Sequence, residues 1–291
     1  MIDKNKFLTT VASIPLVSVF MPVYNQELYI RAALDSVLNQ TYQNYEIVIS
    51  DDCSEDSTPL IVAEYAKKFP EKISFHKLSY ENLGSRHFEL LLKKCKGDYV
   101  CLFSGDDIMY PEKIRHQMND VLRFGLSFHG HSVDCIDGLG GVFSEIGVPK
   151  DQIFSSNDNL IVNGFPAAGC SWLVKKSYAN FDQSLGFLHD WDMVIRVLRD
   201  RRLGYISHKK FGAYRVTETS WSKNLSWKNY LRAYSNLTKA WLESKMYLEC
   251  LWLVLRVLIR LPKLPLKIWK MNKYLRKFVS KYVCDRKYKK V

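Results

Sequence analysis

The stretch VSVFMPVYNQELYIRAALDSVLNQTYQNYEIVISDDCSEDST, which runs from Val17 to Thr58, indicates the fold class of this chain. Val17–Val23 and Tyr45–Ser50 are short apolar runs rich in β-branched residues, as expected for buried strands. Between them, Gln26–Asn39 carries apolar residues at the spacing of one helix face. A strand, a helix and a second strand in this order predict a βαβ unit with parallel strands.

The same alternation continues through the first hundred residues. Helical patterns at Asp56–Phe69 and Arg86–Lys96 alternate with strand patterns at Ile73–Leu78 and Tyr99–Phe103. Because the strands are almost entirely apolar, the sequence predicts an α/β fold whose sheet is covered by helices on both faces. The elements expected after this region are helices at Pro111–Phe124 and Trp191–Asp200, with strands and a hairpin within Leu126–Phe143.

Length and composition are those of a folded globular chain. The 291 residues allow one large or two small domains, and 47% hydrophobic with 25% charged residues excludes disordered or collagen-like chains. Seven scattered cysteines without a CxxC pair favour reduced thiols over a disulfide framework or a zinc site. The polar first ten residues and the lack of a long uncharged apolar run predict a chain that is not exported and does not span a membrane.

Positive charge is concentrated at the C-terminal end. Residues 246–291 hold 13 Lys and Arg against 2 Asp and Glu, whereas the rest of the chain holds 29 against 28. We therefore expect a domain at residues 14–225 followed by a helical basic tail at 226–291. Basic residues on a polar stripe among aromatic and aliphatic residues favour an amphipathic helix on an anionic membrane surface. The alternative is a tail packed on the body with a solvated basic face. No nucleic-acid partner is predicted, because no binding motif accompanies these charges.

The ends of three predicted strands carry the polar residues of a candidate site. The first strand is followed by Tyr24 and Asn25, the second by Asp51-Asp52, and the fourth by Ser104-Gly105-Asp106-Asp107. Ligands of open parallel sheets bind beyond these carboxyl ends. Neither GxGxxG nor GxxxxGK[ST] occurs, so the charge of a phosphate would need another counter-charge. Adjacent carboxylates after a buried strand suit Mg²⁺ or Mn²⁺, which would link them to a diphosphate.

The motifs at these strand ends resemble those of the inverting glycosyltransferases of family 2. The chain carries the P-x-Y-N element at 22–25, S-x-L-x-Q-T-Y at 36–42 and DD-x-S-x-D-x-T at 51–58. The segment YVCLFSGDDIMYPEKI at 99–114 is similar to the family's strand followed by a variant Asp-x-Asp element. The resemblance extends from about Leu16 to Ser220. It implies the GT-A fold, a Rossmann-like mixed sheet flanked by helices, and a nucleotide-diphospho-sugar donor.

The resemblance also implies roles for individual residues. Asp52 would accept a hydrogen bond from the base, most often uracil, while Arg86 would meet the diphosphate and Asp106 the ribose or sugar. Asp107, together with Asp106, would hold Mn²⁺ or Mg²⁺. Asp190 would be the general base that takes a proton from the acceptor hydroxyl. The full set implied at the nucleotide sugar is Pro22, Tyr24, Asn25, Glu27, Asp52, Arg86 and Asp106.

Several of these positions have alternatives. Asp192 is a rival of Asp190 for the role of general base. Asn25 and Glu27 could cap a helix start instead of contacting a ligand. Four aromatic and imidazole side chains are expected to be structural rather than ligand-binding: Trp172, Trp191, His129 and His131.

The chain departs from the family pattern at three places. Ser104 stands at the first position of the usual acidic element, and His189 stands where relatives often have Glu. Thr217 stands where relatives often carry a His near the diphosphate or metal, and His208 is a candidate to replace it.

The expected function is inverting transfer of a sugar from a nucleotide-diphosphate donor, UDP-sugars being favoured, to a hydroxyl of a glycan acceptor. By family resemblance, the acceptor is lipid-linked and the setting is surface-polysaccharide assembly on the cytoplasmic, inner face of the cell membrane. The alternative is a non-catalytic, membrane-associated nucleotide-sugar binding protein, which the changes at Ser104 and Thr217 suggest.

Overall fold

The computed structural model describes residues 14–78, 85–154, 167–182, 185, 188–198, 202–217 and 235–237. Its first half confirms the predicted alternation of strands and helices. The elements in this half are β1 (Val17–Val23), α1 (Ile30–Leu38), β2 (Tyr45–Asp51), α2 (Thr58–Lys68), β3 (Ile73–Lys77), α3 (Ser85–Lys94) and β4 (Tyr99–Leu102).

The second half is less regular and richer in strands than the sequence pattern indicates. Its elements are β5 (Ile108–Met109), α4 (Lys113–Phe124), β6 (Phe128–Ile136), β7 (Val142–Ile146), β8 (Gln152–Phe154), β9 (Leu173–Lys175), α5 (His189–Val197) and β10 (Gly204–Arg215). The expected hairpin is present, because β6 and β7 pair antiparallel on either side of a turn at 137–141.

The described strands form one mixed sheet of ten strands, in the order β3-β2-β1-β4-β9-β6-β10-β5, with β7 on β6 and β8 on β10. Strands β1 to β4 are parallel to one another. Strand β9 runs antiparallel to both β4 and β6, and so joins the parallel half to the second half. The order reverses between β1 and β4, so a crevice is expected at the carboxyl ends of these two strands.

Helices cover both faces of the sheet, which explains why strands β1, β2 and β4 are largely apolar. On one face, Val19 of β1 packs with Ile30 and Leu34 of α1. On the other face, the neighbouring Phe20 packs with Leu91 of α3 and Val194 of α5. Alternate side chains of one strand therefore enter two separate cores, each of which stabilises the fold by roughly 25 cal/mol per Å² of apolar surface buried.

Two details of the fold differ from the sequence pattern. Helix α1 begins at Ile30 rather than Gln26, because the amides of Gln26 and Glu27 donate to Thr58 Oγ1 at the start of α2 and to Asp56 Oδ2 in the loop before it. Strand β10 is not apparent from the sequence, because exposed polar residues at 208–210 interrupt its apolar pattern. The pairing of β10 with β6 shifts register at the same place, as at a β-bulge.

The structural expectations for four side chains are confirmed. Trp172 and Trp191 are 4% and 7% exposed and belong to one hydrophobic core. His129 and His131 are fully buried.

None of the helices in the described part of the chain combines the length and apolar character that a bilayer-spanning segment needs. The boundary near residue 225 stays a prediction, and the basic tail lies outside the described residues, residues 235–237 excepted.

Candidate active site

A cleft of about 600 Å³ opens at the carboxyl ends of β1, β2 and β4. The polar residues that the sequence places after these three strands come together here, as the parallel topology requires. The cleft is lined by Pro22, Val23, Tyr24, Asn25, Gln26, Tyr29, Asp52, His87, Phe88, Ser104, Asp106, Asp107, Tyr214, Arg215 and Thr217.

The end of the cleft nearest β2 is formed by Asp52 and His87. His87, in the first turn of α3, is 3% exposed, and its Nδ1 lies 3.9 Å from Asp52 Oδ2. Burial lowers the pKa of His87, although the carboxylate of Asp52 opposes that shift, and the net effect favours the neutral ring. Tyr24 lies on the rim and is 55% exposed.

The loops after β1 and β2 are tied together by side chains of the candidate site. Asn25 adopts a positive φ of 48°, and its Oδ1 accepts a hydrogen bond of 2.9 Å from the Glu55 amide. Glu27 Oε2 accepts a hydrogen bond of 2.9 Å from the amide of Ser57, the residue that precedes α2. Asn25 thus lines the cleft and fastens its wall, whereas Glu27 fastens the wall from outside the lining. Contact of either residue with a nucleotide stays a prediction.

The acidic pair sits on the turn after β4, and its carboxylates are held in place by neighbours. Asp107 is 2% exposed; its Oδ1 accepts a 2.8 Å hydrogen bond from the Arg215 amide, and the Cys170 thiol donates to the same carboxylate. Ser104 donates to Asp106 and in turn accepts a 3.1 Å hydrogen bond from Gln26 Nε2. The serine at the first position of the acidic element therefore positions Asp106 instead of supplying a further carboxylate.

Arg215, the last residue of β10, joins the acidic turn to the β6–β7 hairpin. Its Nε donates to the Asp106 carbonyl at 2.8 Å, and its Nη1 donates to the carbonyls of Asp137 and Gly138 at 2.7 and 3.3 Å. The guanidinium also lies 4.6 Å from the centre of the Tyr29 ring. One buried side chain thus holds three loops around the cleft.

The donor chemistry of the acidic pair fits a divalent cation. Burial raises the pKa of Asp106, and burial together with the charge of Asp106 raises the pKa of Asp107 well above its usual range. A bound cation would reverse both shifts, since it favours the ionised carboxylates. Within the described residues, no three His, Cys, Asp or Glu side chains come together as a ready-made metal site. Oxygens of the donor diphosphate and water would therefore complete the coordination.

Asp190, the expected general base, lies in the first turn of α5. The ring of the preceding residue, His189, packs at a tilt against the cleft-lining Phe88 with 4.4 Å between ring centres, so α5 begins beside the cleft wall. Asp190 is half-buried, and its Oδ1 accepts a hydrogen bond of 2.7 Å from the Trp191 amide. Burial raises the pKa of Asp190, although the charge of His189 opposes the shift.

Asp192, the rival base, is committed to a structural contact. It is fully buried, and its two oxygens lie 2.9 and 2.8 Å from Arg196 Nε one helical turn away. His208, a candidate to replace the family's histidine, pairs with Asp151 outside the cleft lining. The side chain of Arg86 lies outside the described residues, so its contact with a diphosphate stays a prediction.

Sequence reasoning gave no role to several residues of the cleft, among them Gln26, Tyr29, His87, Phe88 and Arg215. For some of them the available signal was position, since Gln26 directly follows the P-x-Y-N element, Tyr29 lies three residues further on, and His87 directly follows Arg86. Their residue types alone do not distinguish them from ordinary surface or core residues.

The cleft and the mixed sheet define the class of protein as a GT-A fold, the nucleotide-diphospho-sugar transferase fold. Staphylococcus aureus TarS in complex with UDP-GlcNAc has a TM-score of 0.63 at 16% identity, over 91% of this chain and 73% of that chain. The mannosyltransferase PcManGT of Pyrobaculum calidifontis, in complex with GDP-Man and Mn²⁺, has a TM-score of 0.56 at 15% identity, over 92% and 70%. At these identities the similarity establishes the fold alone.

The sequence narrows this class to one family. Residues 18–179, more than half of the chain, match the profile of glycosyl transferase family 2. The chain belongs to this family.

Two relatives are similar to this chain over about two thirds of its length. It is 34% identical to an uncharacterized glycosyltransferase of Rickettsia typhi over 64% of this chain, and it spans only 59% of that relative's length. It is 28% identical, over 72% of this chain and 80% of the relative, to Escherichia coli WfgD. WfgD is a UDP-Glc:α-D-GlcNAc-diphosphoundecaprenol β-1,3-glucosyltransferase.

Proposed function

We propose that this protein transfers a sugar, with inversion, from a nucleotide-diphosphate donor to a hydroxyl of a glycan acceptor. The observation that carries the proposal is the cleft that brings Asp52 and the Asp106–Asp107 pair together, with the half-buried Asp190 beside its wall. Family membership supports the reaction class. The uridine nucleotide bound in TarS and the UDP-glucose donor of WfgD support a UDP-sugar as donor.

In this mechanism Asp190 takes the proton from the acceptor hydroxyl as its oxygen attacks the anomeric carbon. No covalent bond to the enzyme is required, so one base suffices. The raised pKa of Asp190 brings its basicity closer to the operating pH, where general-base catalysis is most effective. Asp192 is the weaker candidate, because Arg196 already occupies both of its oxygens.

Asp106 and Asp107 would hold Mn²⁺ or Mg²⁺ against the donor diphosphate. When bound, the cation supplies positive charge for the departing nucleotide diphosphate. Arg215 keeps both aspartates in place through its amide and Nε, and Ser104 orients Asp106. Tyr24 and Pro22 would contact the nucleotide from the β1 side, and Asp52 would accept from the base.

The acceptor is proposed to be a lipid-linked saccharide of surface-polysaccharide assembly, as the name of WfgD suggests for that relative. Such an acceptor is held at a membrane, where the basic tail would bind the anionic inner leaflet. This places the protein at the cytoplasmic face of the cell membrane, as a peripheral protein. Thirteen Lys and Arg among residues 246–291 support the electrostatic part of this proposal.

The test is a thermal-shift panel of UDP- and GDP-sugars with and without Mn²⁺, followed by a nucleotide-release assay with membrane extract as the acceptor source. A ligand at 100 times its Kd adds about 2.7 kcal/mol of stability, which shifts the melting point visibly. We expect one UDP-sugar to shift it in the presence of Mn²⁺ and to be turned over. Donor binding without hydrolysis or transfer by the unmodified protein would favour the non-catalytic alternative, and a flat panel would contradict the donor site.

A further inference from the structure

Among the residues that the structure describes, two buried polar atoms at the β2 end of the cleft have no hydrogen-bond partner: Asp52 Oδ1 and His87 Nε2. They belong to side chains whose other polar atoms, Asp52 Oδ2 and His87 Nδ1, are 3.9 Å apart. Buried polar atoms are almost always hydrogen-bonded in folded proteins. Because both side chains line the cleft, their two unpaired atoms indicate where a ligand is recognised.

The protonation state of His87 determines what this pair can bind. The backbone carbonyl of Ser50 accepts a hydrogen bond from His87, and since Nε2 has no partner, Nδ1 carries the proton. The neutral ring therefore offers a lone pair at Nε2, and Asp52 offers a second acceptor. Uracil presents one N–H donor, at N3, between two carbonyl oxygens. Asp52 can accept from N3–H, but a neutral His87 would face a carbonyl oxygen with its lone pair.

We propose that His87 and Asp52 together recognise the uracil of the donor, and that His87 takes up a proton when the nucleotide binds. In the bound state Asp52 Oδ1 accepts from N3–H, and Nε2–H of His87 donates to a flanking uracil carbonyl. The proton comes from bulk water, so one proton enters the complex for each nucleotide bound. The inference rests on the proposed uridine-nucleotide donor.

The charges around His87 favour this proton uptake. Asp52 and Asp51, both at the end of β2, raise the pKa of His87 against the effect of burial. On its own helix, Glu89 is paired with Lys93, and across the cleft lie the carboxylates of the acidic pair. A uracil carbonyl facing Nε2 adds a further acceptor for the charged ring, and the bound-state pKa of His87 therefore rises above the free-state pKa.

Linkage then makes the affinity for uridine nucleotides depend on pH. Between the free and bound pKa values of His87, the affinity should rise about tenfold for each unit by which the pH falls. Guanine, which presents adjacent donors at N1–H and N2–H, would match the neutral pair of acceptors without any proton uptake. The protonation of His87 would in this way select uracil over guanine.

The experiment is calorimetric titration of the full chain, already saturated with Mn²⁺, with UDP-glucose across pH 6 to 8.5, in buffers of different ionisation enthalpy. UDP-glucose is chosen because its diphosphate has no group that titrates in this range. Prior saturation with Mn²⁺ keeps the protons that the acidic pair would release on binding the cation out of the measured balance. We expect a net proton uptake that is largest between the free and bound pKa values of His87, and an affinity that rises as the pH falls through that interval. This measurement on the unmodified protein does not depend on any variant folding.

Two variants isolate the effect. H87Q keeps an amide donor near the position of Nε2, but the glutamine side chain cannot titrate. UDP-glucose binding by H87Q should therefore show neither the pH-dependent affinity nor the proton uptake of the unmodified protein. H76Q is the matched control, because His76 is hydrogen-bonded to Ser74 on β3 outside the cleft lining, and it should behave as the unmodified protein.

The outcomes separate this inference from the proposed function. Tight UDP-glucose binding with the same proton balance in the unmodified protein and in H87Q would overturn the role of His87 while leaving the donor class intact. Tighter binding of GDP-mannose than of UDP-glucose at every pH would overturn it as well. If no uridine nucleotide binds, both the inference and the proposed donor fail.

Discussion

Replacing Arg215 by alanine should loosen the whole rim of the cleft. Three carbonyl oxygens, those of Asp106, Asp137 and Gly138, would lose a charged donor at 2.8, 2.7 and 3.3 Å. The contact of the guanidinium with the Tyr29 ring, at 4.6 Å, would be lost as well. Because Arg215 is only 6% exposed, water cannot readily replace these contacts in the native geometry.

The magnitude follows from these contacts. Hydrogen bonds from a charged donor contribute about 1.5–3 kcal/mol each, and the cation–π contact contributes about 0.5–1 kcal/mol at a partly exposed site. The terms are not additive, since the loops can relax towards water, so we expect R215A to lower the free energy of unfolding by about 3–5 kcal/mol. At about 2–4 °C per kcal/mol, the melting point should fall by roughly 6–20 °C.

The assay combines urea unfolding with titration of UDP-glucose in the presence of Mn²⁺. The backbone amide that donates to Asp107 stays in R215A, but the acidic turn loses the side-chain hydrogen bond to the Asp106 carbonyl, so donor affinity should fall at least tenfold. R215K restores the charge but not the planar fork of donors, so it should recover only part of the loss. R31A is the control, because Arg31 forms an exposed ion pair with Glu64 and should change the melting point little. An R215A protein with unaltered stability and donor affinity would refute the reasoning.

Three further predictions concern single residues of the site and its support. D190N should lower the transfer rate by about 10²–10⁴-fold with donor affinity unchanged, and transfer at the normal rate by D190N would exclude this residue as the base. In the unmodified protein, the transfer rate should begin to fall on acidification at a pH above the usual aspartate pKa of about 3.9, because the raised pKa of Asp190 means that the base is protonated at a higher pH. In G105A the new Cβ would lie 2.4 Å from Gln26 Oε1, so the free energy of unfolding should fall by about 1–3 kcal/mol and donor binding should weaken. A G105A protein with the melting point of the unmodified protein would mean that Gln26 moves aside freely. Lys113 is 1% exposed, and its ammonium group donates a hydrogen bond of 2.7 Å to the Cys101 sulfur. K113M should unfold in urea with equal or higher stability, because the buried charge costs desolvation energy, whereas a clear loss of stability would show that the buried charge is stabilising.

The regular part of the fold was predictable because local pattern and burial agree there. Strand β1 has the predicted bounds, and β2 to β4 differ from their predicted bounds by a single residue at the carboxyl end. In β1, β2 and β4 most side chains are buried beneath the helices on the two faces of the sheet, so apolar runs mark these strands directly. Strand β10 shows the converse, since exposed residues at its bulge break the apolar run that the sequence pattern requires.

The candidate site was predictable in part for the same reason. Parallel strands bring their carboxyl ends to one edge, so Asp52, Asp106 and Asp107 could be assigned to one cleft from their positions after the strands. The choice between Asp190 and Asp192 could not be made in this way, because both lie in one helical turn. Only the position of Arg196 shows that Asp192 serves as its partner.

The sequence by itself determined the α/β alternation, the strand ends that carry the acidic residues, and the motifs of the family, because each of these depends on residues close together in the chain. The tertiary structure alone decided which groups hold and tune those residues. Arg215 reaches Asp107 across 108 positions, and His87 approaches Asp52 from another helix. Such contacts depend on how the sheet closes and on which side chains are buried against it, and neither follows from local spacing.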